Sequence, residues 1–369
     1  MTSRTLAFLA LALTATPATA QHRLVLRDST LVAGVILQVS TDGVSLHGEG
    51  PPKTWGWDEI ESGVAPDQKA FDAFIKDIGD PLFRIRQRLK SGDFLELAGP
   101  AEKLFPLFRD RTSGVAGAVC LATHIARDAR HQRESALEPL LAWLAIRAIP
   151  GHTREPRFVV AGTRGLTVSP LGLAEEFPPI FFDAPAAKEA LASCKARLAG
   201  WPGGKPTAGA RIYVASLADR AGDPATAEEI AKPLASLGAA DWQVVLAAQR
   251  EVLGGSPGES VAALEKKLDS MPEPARMAGI YFRGLACRKA APNGRATVIS
   301  FLTLPARYGT TCPEMAAAGL YQAAAGLEAT GDARAALAVR RELLTRHRAT
   351  YFGFRLAQES TTPNPGGLQ

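Results

Sequence analysis

Four glycines in the second half of the chain set the strongest constraint on its fold. Gly222, Gly255, Gly294 and Gly331 recur at spacings of 33, 39 and 37 residues. Each stands between two stretches with helical periodicity. The clearest pair is Leu320 to His347 (LYQAAAGLEATGDARAALAVRRELLTRH), which reads as helix, Gly-Asp turn, helix. Arg211 to Leu234 (RIYVASLADRAGDPATAEEIAKPL) repeats it. That period suits two-helix units, which cannot bury their apolar faces alone and must stack on one another.

The units resemble tetratricopeptide repeats. The resemblance is clear over residues 207 to 347, and Leu89–Phe108 (with its Gly92-Asp93 turn) and Val119–Arg147 look like worn copies. The family places small residues where the two helices of a unit cross, because a large side chain there would push them apart. Seven residues before each turn glycine stand Ala215, Ala248, Cys287 and Ala324; five after it stand Ala227, Ser260, Ile299 and Ala336. Ile299 departs from the pattern, and Pro292 interrupts the same unit. The resemblance also implies a concave groove lined by the first helices, a scaffold for a protein or peptide partner. Carried over residue by residue, its groove positions are Ser216, Asp219 and Arg220, then Trp242 and Gln249, then Tyr281 and Arg288, and finally Tyr321 and Glu328. Trp, Tyr and Arg often anchor interfaces. Aromatic residues at helical spacing also commonly serve as core, so Trp242, Tyr281 and Tyr321 are open to both readings.

The segments around the array differ in character. Arg4, the apolar run Leu6–Leu13 and the small-x-small site Ala18-Thr19-Ala20 have the layout of a secretory signal peptide over residues 1–20. The expectation is an exported protein, periplasmic or extracellular. Losing Arg4 would lower the formal charge of +5 by one. Residues 21–64 read as short strands, with a hairpin turn at Asp42-Gly43. Through Leu26-Arg27-Asp28-Ser29-Thr30, Gly34 and Asp42-Gly43-Val44 this part resembles the small SH3-like and Sm-like barrels. So small a sheet needs support, which the next domain is expected to give. Residues 65–149 form a helical block, opened by Phe71, Phe74, Ile75 and Ile78 on one stripe. Residues 150–206 are a Pro-rich insertion with one helix, read as a break between helical blocks. The repeats occupy 207–358, and 359–369 is a disordered tail. The fold class is therefore mainly α: a helical-hairpin array preceded by a small β-sheet or barrel unit.

Searches for chemistry return little. Trp201–Lys205 lacks the first glycine and the hydroxyl of a phosphate loop, since Ala199 and Pro206 stand there. His124, Asp128 and His131 share a helical face, but Arg127, Arg130 and Arg133 crowd it; they read as solvated surface groups, not a metal site. No nucleophile motif occurs. Cys120, Cys194, Cys287 and Cys312 read as reduced, with Cys287 at a crossing position. No catalytic residue, metal or cofactor is expected. The reading is a non-catalytic exported scaffold that binds a protein or peptide in the cell envelope. The alternatives are an acidic-polymer binder using Arg334, Arg340, Arg341, Arg346, His347, Arg348 and Arg355, or an enzyme sited near the 150–185 insertion.

Overall fold

The computed structural model describes residues 22–48, 50–150, 166–255, 257–292 and 294–361. The expected signal peptide, Arg154, Glu155, Arg157 and Arg164 of the insertion, and the last eight residues lie outside these. The chain divides into two compact units, one ending at Phe83 and the other beginning at Arg84.

The first unit is a five-stranded antiparallel sheet: β1 (His22–Leu26), β2 (Leu31–Ser40), β3 (Gly43–His47), β4 (Lys53–Trp55) and β5 (Ile60–Val64). β2 is rich in Val, Ile and Leu, residues that suit a pleated, half-buried surface. The Asp42-Gly43 turn sets the β2–β3 register, with Ser40 opposite Gly43 and Val39 opposite Val44. The strand order is β4-β3-β2-β1-β5. Edges β4 and β5 do not pair, so the sheet is open and not a barrel. Gly34 is obligatory, because a Cβ there would lie 2.3 Å from the His47 carbonyl oxygen. Buried Leu24, Val44, Leu46 and Ile60 form its apolar side. Support comes from the first helix of the expected 65–149 block, which lies in the same compact unit as the sheet. Helix α1 (Gln68–Phe74), capped by Asp67, continues into a single π turn at Ile75–Gly79. Trp57 stacks on Phe74 at 5.1 Å and meets Phe71 at 5.4 Å, while its Nε1 donates to the Ser40 carbonyl at 2.7 Å.

The rest is helical: α2 (Asp80–Ser91), α3 (Ala98–Phe108), α4 (Gly114–Ala129), α5 (Arg133–Arg147), α6 (Ala184–Ala199), α7 (Ala208–Arg220), α8 (Pro224–Ala231), α9 (Ala240–Gly254), α10 (Glu259–Lys267), α11 (Glu273–Ala290), α12 (Arg295–Tyr308), α13 (Pro313–Ala329), α14 (Ala333–Arg346) and α15 (Tyr351–Thr361). Helix α15 extends to Thr361, so residues 359–361, expected in the tail, are helical. No helix among the described residues is long and apolar enough to cross a membrane.

The hairpins are α7–α8, α9–α10, α11–α12 and α13–α14. Gly222, Gly255 and Gly331 take positive φ of 81°, 114° and 81°, a conformation glycine adopts without penalty. Gly294 does not; at φ −80° it is the N-cap of α12. Asp223 and Asp332 cap α8 and α14 by accepting from Thr226 N and Ala335 N. Ala215, Ala227, Ala248, Ala324 and Ala336 are buried, as the crossing positions require. Ile299 is 55% exposed; α12 instead turns Val298, Phe301 and Leu304 inward. Gly284 and Gly319 make room for them, since a Cβ on Gly319 would lie 2.5 Å from the Phe301 carbonyl oxygen. Helices α5, α7, α9, α11, α13 and α15 touch in succession and form one row.

Candidate functional site

The described part of the Pro-rich segment packs on the helices and does not read as a solvated break between blocks. Residues 166–183 lie against the row of helices, and Phe177, Ile180, Phe181 and Phe182 are buried. Burying each such side chain contributes about 2 kcal/mol, more than a mere connection needs. The segment first folds on itself: Val168 bridges Ala174, and Ser169 N donates to the Leu173 carbonyl at 2.8 Å. Its tip reaches the start of α7, where Gly209 N donates to the Leu171 carbonyl at 2.6 Å. A Cβ on Gly209 would lie 2.4 Å from Gly172 backbone, so glycine is required for this approach.

From Phe177 onward the segment is extended, and side chains of the helices read its backbone. The Tyr213 hydroxyl donates to the Phe177 carbonyl at 2.6 Å. Arg133 donates from Nη2 to the Pro178 carbonyl and from Nε to the Ile180 carbonyl, the latter at 2.9 Å. Ser216 Oγ donates to the Pro179 carbonyl at 2.7 Å, and Arg220 Nη2 donates to the Phe182 carbonyl. In return Glu134 Oε1 accepts the amides of Phe182 and Asp183 at 2.8 and 2.9 Å. Two prolines suit this pattern, because they offer carbonyls and no backbone N–H that burial would strand. Arg133 is 2% exposed and also lies 3.9 Å over the Phe177 ring. A buried cation held this way makes several strong, charge-assisted bonds. His124 also meets Phe177, 4.8 Å edge-on, and the Phe182 ring packs on Tyr281, Tyr351 and Phe352.

The groove positions expected from the repeat resemblance fall into three groups. Ser216 and Arg220 hold the segment directly, and Tyr281 packs on Phe182. Asp219, Gln249 and Trp242 are buried between helices: Gln249 Nε2 donates to the Ser216 carbonyl at 2.9 Å, and Asp219 Oδ1 accepts from Arg250 Nε at 3.0 Å. Burial raises the Asp219 carboxyl to about 7, against the opposing pull of Arg250. Arg288, Tyr321 and Glu328 retain exposed surface; Arg288 bonds Gln322, Tyr321 bonds Glu359 at 2.8 Å, and Glu328 pairs with Arg340 at 2.8 Å. Arg346 and Arg355 of the basic group likewise face Glu342 and Glu359.

Other expectations need correction. His124 is not a solvated surface group. It is 1% exposed, its Nδ1 bonds the Ala136 carbonyl at 2.9 Å, and burial holds it below the usual histidine range. His131 is half-buried in a left-handed turn conformation and stacks on Phe354 at 4.5 Å. No metal-binding group of His, Cys, Asp and Glu occurs among the described residues. The four cysteines are free, and burial pushes the Cys120 thiol up to about 12. Arg133, Glu134 and Tyr213, which hold the segment, were missed by sequence reasoning. The available signal was the composition of Phe177-Pro178-Pro179-Ile180-Phe181-Phe182, too apolar for a solvated loop. No protein-family model, curated protein or solved structure matches this chain.

Proposed function

We propose that this is a non-catalytic scaffold for a protein or peptide partner, built on tetratricopeptide-like repeats and exported to the cell envelope. One observation carries the reading. The helical row receives an extended, proline-containing segment through side-chain bonds to successive carbonyls, which is how a peptide-binding face works. In this chain that part of the face holds the chain's own residues 177–183. The partner therefore docks where groove residues retain surface, around Arg288, Tyr321 and Glu328, with Tyr321 partly covered by Phe352 of α15. Export rests on the leader-like pattern of residues 1–20.

The test is capture of an envelope protein on the immobilised full chain, followed by the same experiment with Arg288→Ala/Tyr321→Ala. Loss of a single retained protein, with retention unchanged in the remote Glu265→Gln control, is the expected result. Equal capture by both variants, or none by the wild type, refutes the reading. Trp242→Ala and Tyr281→Ala are unsuitable probes, because both side chains are buried and their loss would leave cavities.

A further inference from the structure

The formal charge of +5 is not spread evenly over the hairpins. Their second helices lie outside the row that α7, α9, α11 and α13 belong to. In the first two hairpins these outer helices carry carboxylates: Glu228 and Glu229 on α8, Glu259 and Glu265 on α10. In the last two they carry almost none. Helix α12 has no acidic residue, and α14 has only Glu342, which pairs with its own Arg346 at 3.3 Å. Arg340 is likewise taken by Glu328 of α13. The guanidiniums of Arg295 and Arg307 on α12, Arg334 and Arg341 on α14, and Arg348 just past its end are left over. All are exposed, and none has an ion pair or a side-chain hydrogen bond among the described residues.

Their arrangement is regular. Arg334, Leu337 and Arg341 fall at i, i+3 and i+7, one stripe of α14, and Arg348 follows seven residues on. At 1.5 Å per residue, Arg334 and Arg341 stand about 10 Å apart along the axis. The opposite side of α14 holds it to the fold through buried Ala336 and Leu343, so the stripe faces outward. Leu337, between the two arginines, is 61% exposed. On α12, Arg295 and Ile299 share a face at i, i+4, and Ile299 is 55% exposed. An exposed aliphatic residue alone is ordinary. Here each stands among unpaired guanidiniums, on helices without free carboxylates to repel an anion. A soluble polyanion would use the cations alone. An anionic bilayer surface uses both: its phosphates match the guanidinium fork, and its acyl boundary accepts the aliphatic side chains.

We propose that the outer face of α12 and α14 docks this protein on an anionic lipid surface. The inference goes beyond the scaffold reading and does not depend on the Arg288 and Tyr321 surface. The full chain is sedimented with vesicles of phosphatidylglycerol and phosphatidylcholine in equal parts, and with phosphatidylcholine alone, at about 100 mM salt, where distant surface charges are screened. Binding to the mixed vesicles only is expected. Arg334→Gln/Arg341→Gln should weaken it at least about tenfold, since each arginine near such a surface contributes separately. Leu337→Ala, with charge unchanged, should weaken it about threefold. Lys266→Gln/Lys267→Gln on α10, which loses as much charge elsewhere, should bind as the wild type does. All these side chains are exposed, so the fold is kept, and an unaltered melting temperature verifies this. Retention on heparin is measured in parallel. If Leu337→Ala binds vesicles as the wild type does while the arginine variant loses heparin retention, the face takes a soluble polyanion and the lipid assignment is overturned. No binding to the mixed vesicles, equal binding to the neutral ones, or the same weakening in the lysine variant overturns it too.

Discussion

At the scale of single residues, the interior holds polar groups that hydropathy patterning treats as surface. Asp219 is the sharpest case. Its side chain is fully buried, with Arg250 at 3.0 Å, and Arg250 is shared with Glu228 at 3.8 Å. Desolvation raises its carboxyl from 3.8 to about 7. Between those values the folded state keeps a proton that the unfolded chain has released. The group's contribution to stability is therefore fully present below about 3.8 and falls as pH rises through about 7. Asp219→Asn removes the titration. Its melting temperature relative to wild type should rise between pH 5 and pH 8, read by thermal melts across that range. A parallel pair of curves would show that Asp219 is ionised in the fold throughout. The repeat pattern placed Asp219 on the first helix of its unit but could not reveal its burial, because burial depends on where α9 delivers Arg250. His124 failed for the same reason: its surroundings come from Phe177, more than fifty residues along the chain.

At the scale of elements, the hairpins were legible because their signals are local. A left-handed glycine, in α7–α8 and α13–α14 an aspartate cap three residues beyond the helix end, and periodic apolar faces lie within one stretch of chain. The α11–α12 hairpin was less so. Its crossing is opened by Gly284, against which the Phe301 ring lies, while Gly319 of α13 lets the next helix approach α12, and Ile299 at the expected small position faces solvent. Glycine inside a helix ordinarily costs about 1 kcal/mol relative to alanine. Gly319→Ala should nevertheless destabilise, by about 2 kcal/mol, because the new methyl meets the Phe301 backbone, which cannot yield as a side chain would. Gly254→Ala, at a site of α9 with open space around it, should stabilise by a few tenths of a kcal/mol. Urea titration of both variants checks the sign, and a gain at Gly319 would show that α12 can slide. Over its described residues 166–183 the Pro-rich segment is non-helical, as its proline spacing implies, but that spacing says nothing of packing, so the reading as a break misses the buried role. Only the apolar run after Phe177 hinted at a buried role.

At the scale of the helical unit, the row does not behave as an open array. In a linear solenoid each repeat touches only its neighbours, and stability is a sum of local terms. Here the last helix meets the first part of the unit: Phe354 of α15 stacks on His131, beside the start of α5, at 4.5 Å. Phe182 ties the same regions together, with its ring on Tyr281, Tyr351 and Phe352 and its amide on Glu134. The segment is thus a strut inside a row that curves until its ends converge. This closure sets a prediction that separates it from an open solenoid. Ending the chain after Arg348 removes Phe352 and Leu356, both buried, and uncovers Phe182 and Tyr321. In an open array, amide exchange would accelerate only in α13 and α14. In the closed one, protection should also fall in residues 177–182 and in α4 and α5, some two hundred residues away in sequence, because they lose the same partner. Hydrogen-exchange mass spectrometry of the full and shortened chains reads this directly. Exchange confined to α13 and α14 would mean that α15 merely caps the row, and that the contacts of Phe182 and His131 with it carry little energy.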